Sequence, residues 1–344
     1  MKTLKFSGLF SWIFIALGFL FLVKPMASEF LAKMPQVIYP FYLTIAEDRI
    51  YIVENDSTAH LYTIDSNNKA AYVKTFGREG QGPGEFNFMY RIRVLDDHLD
   101  VSGLNKLARF SLDGEYIDEV KVTVDMFKGG INQIGNNYVV RILQFSPNET
   151  TQIINLYDKD FKLIKEIGTH KESRSFDKIN LVSDVFSPRV SEDQIFVISS
   201  GKESIVIVYD QNGNQHKEIL LPLEPIKLTD DLKEAIIKPL RENPQLRDSW
   251  SSFEKRIYFP DKTPGLDYFD IVDGKFIART YKYNQDSVEF VTFNQQGQEL
   301  QRIFLPNTGR LSNGILFCFY QGCYYYLLEN IEEETWELHR EKVW

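Results

Sequence analysis

The feature that most constrains this chain is a turn that returns at nearly constant spacing. Five times an aromatic residue ends an apolar run, a short polar turn follows, and a second run begins: Tyr62 to Ser66, Phe110 to Gly114, Tyr157 to Asp160, Tyr209 to Gly213 and Phe293 to Gly297. Asn-Gly, Asp-Gly and Gln-Gly pairs in these turns admit the positive φ of a tight hairpin. Successive aromatics lie 48, 47, 52 and 84 residues apart. A period of about 45–50 residues suits a four-stranded propeller blade. The intervening runs are rich in Val, Ile, Tyr and Phe, and helical periodicity is scarce, as expected for pleated, half-buried strands.

The long fourth interval has a local cause. From Leu228 to Phe253 the pattern turns helical, with Leu228, Leu232, Ile236 and Leu240 spaced by four. Thr229 is placed to cap that helix, Asp230 and Asp231 suit its first turn, and Pro239 should kink or end it. Asn243-Pro244 reads as the start of a second helix with Leu246, Trp250 and Phe253 on one face. The segment 225–264 is thus a helical insertion between blades 4 and 5, expected to pack Leu232, Ile236, Leu246 and Trp250 against the blades. With it and the leader set aside, about 277 residues remain, or about 46 for each of six blades. These are assigned to 41–76, 90–124, 130–168, 186–222, 266–305 and 311–341, within a propeller spanning 36–344. The last segment supplies three strands, so Gln36 to Tyr39 is expected to complete its sheet and close the ring.

Residues 1–28 stand apart. Phe6 to Val23 carries no charge, with Lys2 and Lys5 before it and Lys24-Pro25 after it. That run exceeds the usual signal-peptide core and approaches the length of a membrane span. A retained single-pass anchor is the first reading, a cleaved signal peptide the second and a buried helix the third; the two former place the remainder across a membrane. Lys+Arg 39 against Asp+Glu 48 gives a net charge of −9, which argues against a nucleic-acid partner. The two cysteines exclude a disulfide scaffold, and five singly scattered histidines offer no pair for one metal, so no cofactor is expected. Cys318 and Cys323 flank a Gln321-Gly322 turn, leaving a disulfide and two packed thiols as alternatives.

Between blades 1 and 2 runs Phe76-Gly77-Arg78-Glu79-Gly80-Gln81-Gly82-Pro83-Gly84-Glu85-Phe86. It lacks the Lys-Ser/Thr ending of a phosphate loop and is not followed by a helix. Instead it resembles the signature of six-bladed β-propeller proteins common in cell envelopes of Bacteroidota-type bacteria, relatives of NHL-repeat propellers. Arg256 to Pro264 is also similar to that family. The resemblance implies an all-β fold and an exported location, periplasmic or on the outer face of the inner membrane. As a structural element the loop is a tight connection: Gly77, Gly80, Gly82 and Gly84 permit close backbone approach, Pro83 and Glu85 complete the turn, and Phe86 anchors between sheets. A ligand-facing role for Arg78, Glu79 or Glu85 is the alternative.

No G-x-S-x-G elbow or calcium loop occurs. The expected function is therefore a binding or scaffolding module whose partner is a small molecule, a glycan or an envelope protein, with the membrane touched through the N-terminal segment alone. The competing class is a propeller enzyme, a lyase, lactonase or glycosidase, with carboxylates and calcium in the central channel. A ligand is expected where the innermost strands line the axis, beginning near Tyr42, Arg91, Asn132, Arg189, Tyr268 and Asn313. Period-two alternation sets Arg91 and Arg93 opposite Ile92 and Val94. Arg189 holds the matching place in blade 4 and Asp270 offers a balancing carboxylate from blade 5, an arrangement able to bind a carboxylate or phosphate.

Overall fold

A computed structural model describes residues 28–104, 106–122, 130–173, 177–242, 246–284, 286–308 and 315–344. The leader and Asn243-Pro244 fall outside these residues, and so does Asn313. After β1 (Glu29–Met34) come six blades. Blade 1 is β2 (Pro40–Ala46), β3 (Arg49–Glu54), β4 (Ala59–Ile64) and β5 (Ala70–Phe76). Blade 2 is β6 (Met89–Val94), β7 (His98–Gly103), β8 (Lys106–Ser111) and β9 (Tyr116–Lys121). Blade 3 is β10 (Ile131–Ile134), β11 (Asn137–Phe145), β12 (Glu149–Tyr157) and β13 (Leu163–Ser173), followed by the short β14 (Ile179–Asn180). Blade 4 is β15 (Phe186–Ser191), β16 (Gln194–Ser199), β17 (Ser204–Asp210) and β18 (Gln215–Leu221). Then come α1 (Asp230–Arg241), α2 (Trp250–Glu254) and β19 (Ile257–Tyr258). Blade 5 is β20 (Tyr268–Val272), β21 (Lys275–Asn284), β22 (Ser287–Phe293) and β23 (Glu299–Pro306). Blade 6 is β24 (Phe317–Tyr320), β25 (Cys323–Asn330) and β26 (Thr335–Lys342). Each blade is an antiparallel meander in chain order, and contacts between β2 and β24, β2 and β6, β10 and β15, and β15 and β20 put the first strands side by side around an axis.

The apolar residues are distributed as six wedges, one between each pair of neighbouring blades. This follows from strand alternation: a radial sheet has two faces, and both meet a neighbour. The recurring turn has a specific geometry. Asp65, Asp158, Asp210 and Asn294 each use Oδ1 to accept the backbone N–H groups two and four residues on, at 2.8–3.0 Å. Ser111 does the same more sparely, accepting from Glu115 N at 3.1 Å. Three residues after each of these stands a residue at positive φ: Asn68, Gly114, Phe161, Gly213 and Gly297. A bulge sits in the same hairpin of all five blades.

Two details differ from the sequence reading. In blade 1 the residue before the turn is Ile64, because that hairpin is two residues longer, and Tyr62 lies further back in β4. In blade 3 the left-handed position is held by Phe161 rather than glycine, with its ring stacked on Tyr138 at 4.7 Å and 5°. That packing offsets the steric cost of the position.

Ring closure also differs. The fourth strand of blade 6 is β1, which pairs with β26 from Glu29–Arg340 to Met34–Trp336, whereas Gln36 to Tyr39 is the link to blade 1. The physical reason is side-chain chemistry: Leu31 and Met34 are fully buried between blades 6 and 1, and Ile38 and Tyr39 are exposed. Their N–H groups are held instead by the buried carboxylate of Glu54, at 2.9 and 2.5 Å. Burial of Leu31 and Met34 contributes roughly 1.5–3 kcal/mol each.

In the insertion, Thr229 caps α1 by accepting Leu232 N, Asp230 and Asp231 occupy the first turn, and Pro239 lies in the last one. Ile236 packs with Val182, Leu228 and Tyr281, with Leu232 at the margin. Leu246 and Trp250 do not join them. Helix α2 is only five residues long, too short to present an apolar stripe to the blades, and none of its residues is buried. Trp250 rests on Phe253, under the Arg241 guanidinium. Residues 256–264 form the strap beneath: β19 pairs in parallel with β14, and Thr263 N donates to Ile226 O. Among the described residues no helix is long and apolar enough to cross a membrane.

Candidate functional site: an arginine-lined axial channel

The innermost strand of a blade is a sheet edge, so it tolerates proline, as at Pro40 and Pro188, and its free side faces the axis. In each blade the first hairpin closes across two residues, at Ala46/Arg49, Leu95/His98, Ile134/Asn137, Ser191/Gln194, Val272/Lys275 and Tyr320/Cys323. Counting back from these shared positions aligns the strands. Two residues upstream stand Thr44, Arg93, Asn132, Arg189, Asp270 and Cys318. Four upstream stand Tyr42, Arg91, Gly130, Ser187, Tyr268 and Leu316. Six hairpins from across the chain thereby place arginines, tyrosines and one aspartate in two adjoining layers.

The hydrogen bonds join these layers across blades. Arg91 Nε donates to Tyr42 OH at 3.2 Å, and Arg93 Nη1 to Gln133 O of blade 3 at 2.8 Å. Arg189 makes three bonds: Nε donates to Asp270 Oδ1 at 3.0 Å, and Nη1 to Ser187 Oγ and Pro188 O. Asp270 also accepts from Tyr268 OH at 2.9 Å. Asn132 is buried within the same tier, next to Gln133.

The electrostatics are unbalanced. The hydroxyl of Tyr42, and then the charge of Asp270, hold Arg91 above the ordinary guanidinium value against its burial. Burial lowers Arg93, with Arg91 adding repulsion. Arg141 of β11, whose Nη1 donates to Phe186 O at 3.1 Å, is pushed down to about 10 by burial and by Arg189. Burial, reinforced by Asp270, raises the phenol of Tyr268 and the thiol of Cys318. In the two layers Arg91, Arg93 and Arg189 thus stand with one carboxylate, Asp270, which is committed to Arg189. Asp100 of β7 is shared with His98 and Arg109 and raised by its own burial. In a chain of net charge −9 this inner cationic cluster is a local inversion of sign.

A pocket of about 280 Å³ is lined by Asn180, Leu181, Ser183, Ile236, Asp267, Arg279 and Tyr281. Arg279, in its wall, donates from Nε to Asp267 Oδ1 at 3.0 Å, and its guanidinium lies 5.9 Å from the Tyr268 ring and 5.1 Å from that of Phe317.

Of the residues singled out in the sequence, Arg91, Arg93, Asn132, Arg189, Tyr268 and Asp270 share these two layers. The glycine loop is elsewhere, as the connection between blades 1 and 2. Gly77, Gly80 and Gly84 have positive φ, and a Cβ on Gly80 would stand 2.1 Å from Glu85 Oε2. Glu85 accepts Gly82 N and pairs with Arg78, Phe86 is fully buried against Phe110, and Lys106 donates to Gly82 O. Pro83 lies within this turn, in which Glu85 N donates to Gly82 O. Cys318 and Cys323 are both thiols, the register setting Cys318 opposite Tyr325. Sequence reasoning missed Arg141 and Arg279. Each is a lone charge inside an apolar second strand, Val139-Val140-Arg141-Ile142 and Ile277-Ala278-Arg279, and that break was the available signal.

Among the described residues no group of three His, Cys, Asp or Glu side chains could hold a metal ion. A family model described as a 6-bladed beta-propeller matches residues 36–185, the first three blades. The chain is a six-bladed β-propeller. Similar solved structures include the computationally designed Ika8 protein, 8% identical over 91% of this chain and 99% of that one, at a TM-score of 0.39. The AfRom2 CNH domain is 9% identical over 92% and 98%, at 0.38. BamB from Moraxella catarrhalis is 12% identical over 87% and 68%, at 0.32. No curated protein matches the sequence.

Proposed function

We propose that this propeller is a binding module that takes an anionic ligand in its axial channel. The observation that carries the reading is the set of guanidinium groups that the first strands bring to adjoining layers, Arg91, Arg93 and Arg189, with Asp270 as the one carboxylate in those layers. Arg93 is lowered by burial and then by its neighbour Arg91, a tension that a bound carboxylate or phosphate relieves. Arg189 belongs to the frame of the site, being neutralised by Asp270. Tyr42 and Tyr268 supply hydroxyl partners beside it.

The same proposal extends to place and kinship. The uncharged run Phe6 to Val23 supports an exported chain held at a membrane, in the manner of the envelope propellers it resembles. Residues 24–28 separate that run from β1 and, fully extended, reach about 17 Å, so a retained anchor keeps the propeller close to the bilayer.

The test is calorimetric titration of the purified chain with acetate and with inorganic phosphate at fixed ionic strength, alongside Arg91→Ala. Saturable binding that the substitution weakens by about tenfold or more supports the reading. An Arg91→Ala protein that binds both anions like the parent refutes it.

A further inference from the structure

The two channel layers each leave groups without partners. Arg91 spends Nε on Tyr42 OH, and Arg93 spends Nη1 on Gln133 O; the other N–H groups of both make no hydrogen bond with any described residue. In the layer of Arg93, Asn132 is 6% exposed, and its amide has no hydrogen-bond partner among the described residues. Buried polar groups left unpaired cost free energy that a ligand recovers. Solvent reaches the layers: Thr44, Arg91, Arg93, Arg189 and Asp270 each keep partial exposure, whereas Leu43, Ile92, Pro188 and Phe269, which alternate with them, are buried.

Charge and spacing narrow the ligand. Three guanidinium groups stand in the layers with one carboxylate, so two positive charges are unmatched there. Arg91 and Arg93 lie two residues apart on β6, opposite Ser102 and Asp100 with no bulge between them, so their Cα atoms are about 6.6–6.8 Å apart. Arg91 turns towards blade 1 and Arg93 towards blade 3, and one anionic group cannot pair with both forks. Two carboxylates on one chain can. An extended chain of five or six carbons spans about 5–6 Å between its terminal carbons, at about 1.25 Å of advance per bond, close to the separation of the layers.

We infer that the ligand is an unbranched dicarboxylate of five or six carbons lying along the axis, with one carboxylate at Arg91 and Tyr42 and the other at Arg93 and Asn132. This rests on the anion-binding reading of the channel and adds the ligand class. Asn132 supplies a neutral donor that orients the second carboxylate without adding charge. A phosphate, with its oxygens on one atom, meets one layer and leaves the charge of the other unmatched.

The experiment is calorimetric titration of the full chain with acetate, malonate, glutarate, adipate and inorganic phosphate at one ionic strength and pH 8, where the carboxylates and the phosphate are ionised. It is repeated with Arg93→Gln, Asn132→Ala and Arg91→Ala. Glutarate or adipate should bind about tenfold or more tightly than acetate, malonate and phosphate. Arg93→Gln should cut the advantage over acetate to about twofold or less, and Asn132→Ala should weaken the longer dicarboxylates by about fivefold. Glutarate and adipate no tighter than malonate, phosphate tighter than both, an advantage that survives Arg93→Gln, or an Asn132→Ala protein that binds like the parent overturns the dicarboxylate inference. Acetate or phosphate binding that Arg91→Ala weakens then leaves the channel reading standing. Absence of binding by every anion overturns both.

Discussion

Replacing Asp270 by Asn isolates the charge balance of the channel. The substitution keeps the size of the side chain and an acceptor for Tyr268, but removes the one carboxylate bonded to Arg189. Breaking a buried pair costs about 3–5 kcal/mol. Here the Arg189 and Asp270 side chains are 15% and 26% exposed, and Arg189 keeps its bonds to Ser187 and Pro188. The expected loss is therefore about 2 kcal/mol, or roughly 4 °C in Tm for a chain of this size. The same change should favour anions. A unit charge roughly 8 Å away at an effective dielectric near 20 is worth about 2 kcal/mol, and ionic screening in a wet channel leaves about 1, a roughly fivefold gain in affinity. Thermal unfolding followed by tryptophan fluorescence, with and without added phosphate, reads both effects: the variant melts lower in neutral buffer and recovers more than the parent as phosphate rises. Asp113→Asn is the control, since its pairing with Arg49 is at the surface and should shift stability by less than about 0.5 kcal/mol. If Asp270→Asn melts within about 1 °C of the parent and responds identically to phosphate, the reasoning about the channel is wrong.

Gly80→Ala should destabilise the connection between blades 1 and 2, because a Cβ there meets Glu85 and the backbone is left-handed; a fall of about 1–3 kcal/mol in chemical denaturation is expected, and none if the loop is slack. Replacing 225–264 by a short Gly/Ser linker should preserve the β-sheet circular dichroism signal while lowering Tm, since Val182 and Tyr281 lose their cover; loss of the β signal would show that the blades depend on the insertion. Burial raises the Glu172 carboxyl above 4.5, so its proton supports folding at low pH and that support is lost as pH rises through the folded value. Glu172→Gln should match the parent near pH 4 and melt progressively higher than it towards pH 8, and a constant difference across that range would contradict the burial argument. Full-length protein should sediment with membranes, whereas a mature N-terminus found at Ser28 or Glu29 in protein from the native host would replace the anchor by a cleaved signal.

The blades were legible because what makes them is local. An Asx side chain capturing N–H groups two and four residues on, a left-handed residue three positions later and alternating apolar strands all act within a single hairpin. The same local rules located the insertion and capped α1 at Thr229. They failed where a partner from far along the chain decided. Glu29 to Met34 becomes the last strand because β26, some 300 residues on, presents the edge it needs, and Phe161 is held left-handed by Tyr138.

The candidate site divides in the same way. Arg91, Arg93, Arg189 and Asp270 could be assigned to first strands and to one face of each, because strand alternation is written in the sequence. That Arg189 bonds Asp270, 81 residues away, while Arg91 turns to Tyr42, was decided only when six hairpins closed into a ring and set their turn-anchored registers at one depth. Arg141 and Arg279, on second strands, and the pocket between α1 and blade 5 likewise exist only in the closed ring. A side chain's strand depends on its near neighbours in sequence; its electrostatic partners depend on which strands the fold brings within a few ångströms.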